Sequence, residues 1–150
     1  PGWTLVRPSF GPGPTYGHGV LHPKLMLLAF SDRLRIVISS ANFSRQSFSD
    51  VSQCIWVCDC RLRSQEGGSQ AEPTLCTFAT DLADFLGRLL DPGVSGTSLA
   101  GGSGDRKTSP PAGVWHQLLR QYDILVPDGV HLVASVPGFF QGGFGIARMR

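Results

Sequence analysis

Several features common in proteins are scarce in this 150-residue sequence. No run of 18 or more apolar residues occurs, which excludes a transmembrane helix. Charged residues make up only 16%, and the net charge is +2. A protein that coats a long stretch of nucleic-acid backbone is normally more basic, so any nucleic-acid contact should be confined to one site. At 41% apolar residues and without a G-x-y repeat, the chain is neither a disordered tail nor collagen-like.

Metal-binding cysteine patterns are missing too. The four cysteines, Cys54, Cys58, Cys60 and Cys76, form no C-x-x-C pair, and no histidine follows at zinc-finger spacing. The first three lie at even spacings, which places them on one face of a strand. We therefore expect buried free thiols in a reducing compartment and no structural zinc.

The chain begins at Pro1, and no charged-then-apolar signal segment opens it. We expect it to be a region of a longer protein, in which a functional site can be half present.

Strand and helix patterns alternate along the chain. Four segments read as strands: 21–30, 33–39, 52–59 and 130–136. Two segments have the apolar spacing of helices: 77–90 and 115–122. The first strand is apolar on both faces, which predicts a central strand covered on two sides. We predict an α/β fold in a single lobe over residues 1–150, with a Gly/Ser/Pro-rich flexible insertion at 91–113.

A candidate reactive site lies at the start of the first predicted hairpin. In His22-Pro23-Lys24 the imidazole and the ammonium fall on the same face of a strand. Asn42 follows the return strand, so the hairpin brings it back towards the same end of the sheet. A lysine ammonium and an amide suit phosphate oxygens, and an unprotonated imidazole can attack phosphorus. The trio predicts phosphoryl transfer without a metal, although His-x-Lys alone is more often a solvated strand end.

The stretch HPKLMLLAFSDRLRIVISSAN resembles the first half-site of the phospholipase D superfamily. That superfamily commonly has an Asp five residues after the Lys, where this chain has Ala29. In lacking this Asp the chain resembles one branch of the superfamily, the tyrosyl-DNA phosphodiesterases. Gln53 before an Ile-Trp strand and the late segment HLVASVPGFFQG add to the resemblance, which runs over about 17–142.

The resemblance implies a fold and a set of roles. The fold would be one lobe of a phospholipase D-like structure, a mixed central sheet flanked by helices. His22 would be the nucleophile, forming a phosphohistidine bond to a DNA 3′ end, and Lys24 and Asn42 would bind the phosphate oxygens. Gln53 would orient an imidazole from behind, and His18 would stack on a base. No cofactor would be needed, the partner would be DNA and not a membrane, and the protein would act in DNA repair in the nucleus.

One departure from the family is serious, because a second His-x-Lys is missing from the sequence. His116 and His131 lack the following lysine, and we expect them on a helix surface and at a strand start. The second catalytic lobe would then come from the same longer chain or from another copy. Two alternatives stay open: another phosphodiesterase or nuclease of the superfamily, and a catalytically incomplete lobe that only binds DNA ends.

Two further features bear on the site. Pro23 removes one backbone N–H and restricts His22, which is tolerable at a strand start. Arg33, Arg35 and Arg45 near the hairpin favour a solvated strand face over phosphate contacts.

Overall fold

A computed structural model describes residues 22–64, 73–90, 113–136 and 144–145. These residues fall into two compact units. One unit holds 22–64, 73–76 and 118–130, and the other holds 77–90, 113–117, 131–136 and 144–145. His18 and nearly all of the insertion predicted at 91–113 lie outside the described residues.

The first unit is built on a β-hairpin. Strand β1 (Leu25–Ala29) pairs antiparallel with β2 (Arg33–Ser39), in a register that sets Leu25 opposite Ile38. The Phe30 N–H donates to the Arg33 carbonyl at 2.8 Å and closes the turn. The predicted bounds of β2 are confirmed. β1 begins four residues later than predicted, after Pro23, which has no N–H to give to a ladder.

Strand β3 (Ile55–Leu62) pairs with β2, and the short β4 (Tyr122–Asp123) pairs with the end of β3. The order is β1-β2-β3-β4, and every pair among these described strands is antiparallel. β1 is therefore an edge strand of the described sheet, not the central one expected. β2 lies between β1 and β3 and is therefore an inner strand of the described sheet. Leu28 of the edge strand β1 is 39% exposed.

The core of this unit lies under one face of β2. Leu34 and Ile36 are two residues apart and therefore lie on the same face. Cys60 of β3 pairs with Leu34, and all three residues are at most 2% exposed. The opposite face is more open on β3, where Ile55 and Val57 are about half exposed, although Val37 of β2 on that face is 8% exposed. This contrast between faces is what alternation along a strand produces.

The helices differ in how well the sequence predicts them. Helix α2 (Thr77–Leu90) has the predicted bounds and buries Phe78, Leu82, Phe85 and Leu86 on one stripe. Helix α3 (Val114–Leu119) ends earlier than predicted, because Tyr122 belongs to β4. The five-residue α1 (Arg45–Ser49) was not predicted.

The strand predicted at 130–136 is wrong: these residues are described, and none lies in a strand. They do alternate between exposed and half-buried positions, as an extended chain does. Burial of one face predicts extended backbone, but a strand also needs a neighbour with which to share a ladder.

All four cysteines are free, as expected, but only Cys60 is buried; Cys54 is exposed. In the described part of the chain no helix is long and apolar enough to span a bilayer.

Candidate functional site

His22 and Lys24 meet at the open end of the hairpin. The Lys24 Nζ lies 2.7 Å from the His22 Nδ1 and 3.1 Å from the His22 carbonyl oxygen. An ammonium has protons to donate and no lone pair, so Nδ1 is the acceptor in this contact. A neutral imidazole held this way carries its proton on Nε2. The convergence of the two side chains expected from the sequence is therefore confirmed.

The register places the end of β2 beside this pair. The Ser39 N–H donates to the Lys24 carbonyl at 2.9 Å, which continues the ladder one residue past Leu25. Ser39 in turn pairs with Ile55. Lys24, Ser39 and Ile55 thus form one row across three strands, at a spacing of about 4.8 Å per strand.

Asn42 lies three residues beyond Ser39, at the same end of the hairpin, and its side chain is exposed. The Ser44 N–H donates to the Asn42 carbonyl at 2.7 Å, so the backbone turns sharply here before α1. Asn42 thus stands on a turn that follows the end of β2. That Asn42 and Lys24 share a phosphate stays a prediction.

Two serines fix the beginning of this turn. The Ala41 N–H donates to the Ser39 hydroxyl at 2.9 Å, and Ala41 itself is fully buried. The Ser40 hydroxyl accepts from the Cys54 N–H at 2.9 Å and donates to the Gln53 Oε1 at 2.6 Å. The turn is therefore tied to the residues that lead into β3.

Gln53 is half-buried and contacts both sides of the turn. Its Oε1 accepts from Ser40, and its Nε2 donates to the Ser47 carbonyl of α1 at 3.1 Å. The helix is capped at its start by Ser44, whose hydroxyl accepts from the Ser47 N–H at 3.4 Å. The described contacts of Gln53 are thus with serines, and the orientation of an imidazole by Gln53 stays a prediction.

An open groove of about 470 Å³ adjoins Gln53. It is lined by Phe48, Ser49, Asp50, Val51, Ser52, Gln53 and Ile55. Phe48 and Val51 are each more than half exposed. The sequence predicts neither this groove nor α1, which supplies part of its lining.

The other two described histidines belong to the second compact unit. His116 is on α3, and its Nε2 lies 3.2 Å from an Asp84 carboxylate oxygen. This agrees with the expected helix-surface position. His131 is exposed, on the extended segment that is not a strand.

The arginines of the hairpin form ion pairs on the sheet surface. Arg35 donates to both carboxylate oxygens of Asp59 at 2.7 Å, a two-pronged contact, and Arg33 pairs with Asp32 at 2.9 Å. The hydrogen bond from Arg35 lowers the pKa of Asp59, and the same bond raises the pKa of Arg35. Arg33 also stacks over the Phe30 ring at 4.2 Å. Arg33 and Arg35 thus lie half-exposed in ion pairs on the sheet surface, and a solvated face in place of phosphate contacts stays a prediction.

Two of the thiols lie further along β3, away from this end of the sheet. Cys58 and Cys60 are neighbours on one face of β3, with their sulfurs 3.7 Å apart. Burial, followed by the hydrogen bond with Cys58, raises the pKa of Cys60 to about 12. Cys60 is thus a core residue and not a nucleophile at neutral pH. Among the described side chains, no group of three His, Cys, Asp or Glu residues is arranged to hold a metal ion.

Comparison with known proteins defines the class to which this site belongs. The family model described as tyrosyl-DNA phosphodiesterase matches residues 14–150. A curated relative, "Tyrosyl-DNA phosphodiesterase 1" of Arabidopsis thaliana, is 26% identical over 140 residues, which is 93% of this chain. The chain spans about a fifth of that relative's length, 20%. No solved structure matches.

The fold is thus an α/β lobe compatible with part of a phospholipase D-like structure, from a family of phosphodiesterases. The chain belongs to the tyrosyl-DNA phosphodiesterase family. The family expectation drawn from the sequence is confirmed.

Proposed function

We propose that this chain supplies the first catalytic half of a DNA repair hydrolase that cleaves 3′-phosphotyrosyl linkages. The observation that carries the proposal is the contact of 2.7 Å between Lys24 and His22, at the hairpin end where Asn42 also lies. Membership of the family and the name of the curated relative support the same substrate class.

On phosphate binding, Lys24 would exchange one hydrogen-bond acceptor for another. Its ammonium now donates to the imidazole, and a phosphate oxygen is a stronger, charged acceptor. Once Lys24 turns to the phosphate, together with the Asn42 amide, the His22 ring is released from the contact. Donors fixed in this way stabilise the charge that grows on the non-bridging oxygens, typically by about 10²–10³ in rate for each donor.

The chemical steps would then be two displacements at phosphorus. A lone pair of the unprotonated His22 ring forms a P–N bond as the P–O bond to tyrosine breaks, and the phenolate leaves. Water next attacks phosphorus, the P–N bond breaks, and a 3′-phosphate is released. The proton for the phenolate and the activation of water would come from a second His-x-Lys, in the same longer chain or in another copy.

The test uses a substrate whose leaving group needs no proton. A single-stranded oligonucleotide that ends in a 3′-(4-nitrophenyl) phosphate releases 4-nitrophenolate as an anion, so the first step proceeds without the second half. We expect the covalent adduct to accumulate in the 150-residue chain, because water lacks its activating imidazole. The adduct is followed as a mobility shift on a denaturing gel at alkaline pH, since phosphohistidine hydrolyses in acid.

The controls assign the nucleophile. His22→Ala should abolish the adduct, whereas His131→Ala, at another exposed histidine, should leave it unchanged. An adduct that survives in His22→Ala, or none with the unaltered chain, would contradict the proposal. The second outcome would favour the alternative of a lobe that only binds DNA ends.

Specificity is a separate question. A panel of 3′-phosphotyrosyl DNA, unmodified single-stranded DNA and phosphatidylcholine separates the proposed activity from those of a nuclease and a lipid hydrolase. Turnover on this panel needs the second half. We propose nuclear localisation on the same basis as the repair role, and localisation of the tagged longer protein tests it.

A further inference from the structure

Ser40 follows the last residue of β2, where the pairing of β2 with β3 ends. The Ser40 N–H donates to the Cys54 carbonyl at 3.0 Å, as one half of an antiparallel pair. The returning Cys54 N–H donates to the Ser40 hydroxyl at 2.9 Å, where a regular ladder would use the Ser40 carbonyl. The side chain thus takes the last bond of the ladder, and the backbone is free to turn towards Asn42.

The same hydroxyl has one proton to donate, and a second contact shows which acceptor receives it. The Gln53 Oε1 lies 2.6 Å away, while the Cys54 carbonyl lies 3.4 Å away, so Gln53 is the better acceptor. Ser40 therefore accepts one bond and donates one. Replacing it with alanine removes both and leaves the Gln53 carbonyl oxygen without this donor.

Gln53 extends this connection to the far side of Asn42. Its Nε2 donates to the Ser47 carbonyl in α1 at 3.1 Å. Ser40 precedes Asn42 by two residues, and Ser47 follows it by five, so one side chain joins both ends of the turn. Between them, Ala41 is fully buried.

We propose that Ser40 is a positioning residue that holds the Asn42 turn in the geometry needed to bind phosphate, acting through Gln53 and Cys54. The proposal rests on the function proposed above, since it assigns Asn42 to the phosphate. It adds to the role expected for Gln53 from the family resemblance, because the contacts of Gln53 described here are with the turn.

The experiment measures binding of a single-stranded oligonucleotide that ends in a 3′-phosphate, by fluorescence anisotropy, at fixed low salt. We expect Asn42→Ala and Ser40→Ala each to weaken binding, Ser40→Ala by about tenfold, the scale of one or two lost neutral hydrogen bonds. Ser40→Thr keeps the hydroxyl at an exposed position and should retain binding. Ser49→Ala is the matched control, because its hydroxyl bonds only to the exposed Asp50 carboxylate.

Two readouts separate positioning from a general loss of structure. Hydrogen exchange of the Cys54 amide should speed up in Ser40→Ala and not in Ser49→Ala, while amides at the centre of β2 stay protected. In the double variant Ser40→Ala/Asn42→Ala, binding should be no weaker than in Asn42→Ala alone, because a turn without its amide has nothing left to position.

The outcomes distinguish the two proposals. If Asn42→Ala binds as well as the unaltered chain, the phosphate site itself is wrong. If Asn42→Ala weakens binding but Ser40→Ala does not, only the role of Ser40 is overturned; the same holds if the two effects add in full. Should Ser40→Ala fail to fold, Gln53→Leu removes the same contact from the other side and is expected to weaken binding similarly.

Discussion

The central position of β2 leads to a prediction about stability that two isoleucines test against each other. Ile36 is 0% exposed in the middle of β2, and Ile55 is 47% exposed at the start of β3. Truncating either to alanine removes the same three carbons. The difference in effect therefore measures how the two faces of the sheet are buried.

The magnitude follows from that burial. Removing three fully buried carbons costs about 2.4 kcal/mol in transfer free energy, at roughly 0.8 kcal/mol for each carbon. The residual cavity adds to this, so we expect about 3–4 kcal/mol for Ile36→Ala, inside the usual range for core truncations. For Ile55→Ala about half of the transfer term applies and no closed cavity forms, which gives about 1 kcal/mol.

Urea unfolding followed by circular dichroism measures both. With a slope of about 2 kcal/mol per molar, Ile36→Ala should lower the midpoint by roughly 1.5–2 M and Ile55→Ala by about 0.5 M. Equal shifts for the two variants would refute the assignment of buried and open faces. The unaltered slope is the control, because a changed slope means that the unfolding equilibrium itself has changed.

Three further outcomes can be checked on the same protein. Maleimide should label the exposed Cys54 in the native state, whereas Cys60, whose pKa is raised to about 12 by burial, should react only after unfolding; mass spectrometry of the labelled peptides decides this. The hydrogen bond from Arg35 lowers the pKa of Asp59 below its value in the unfolded chain. The ion pair therefore makes a small contribution to stability near neutral pH, and this contribution is lost as the pH falls below about 4. Arg35→Met should flatten that acid limb of the unfolding curve, and an unchanged limb would contradict it. Formation of the adduct at His22 should persist in EDTA, since the proposed chemistry uses no metal; its loss on chelation would count against the mechanism.

Local patterns predicted the strongest elements well. The bounds of α2 follow from an apolar stripe at three- and four-residue spacing, and those of β2 from an apolar run after a tight turn. Both signals are contained within the element itself. By contrast, α1 spans only Arg45–Ser49, has no buried residue, and depends on a serine cap and on Gln53 from the segment that leads into β3.

Errors arose where the answer depended on a distant partner. The segment 130–136 has the alternating burial of a strand but no strand assignment in the described chain. β1 is apolar on both faces, yet it lies at the edge of the described sheet, because sheet order is set by which strands pair and not by composition. The same limit applies to the site. The contact of His22 with Lys24 followed from a spacing of two residues, while the contact of Ser40 with Gln53 needed the register of β2 on β3.

The site and the core occupy separate parts of the hairpin, and this separation makes the proposed experiments interpretable. Ile36 lies in the middle of the ladder, whereas His22 and Asn42 lie beyond its last strand residues and are exposed. Surface substitutions away from caps and buried networks usually change stability by no more than about 0.5 kcal/mol. Alanine at His22 or Asn42 should therefore leave the urea midpoint nearly unchanged while removing adduct formation or binding. Ser40 lies between these two regions, in contact with Cys54 just before β3 and two residues from Asn42. For substitutions of Ser40, unfolding and binding have to be measured together, because the last hydrogen bond between the two chain segments is made there by the Ser40 side chain.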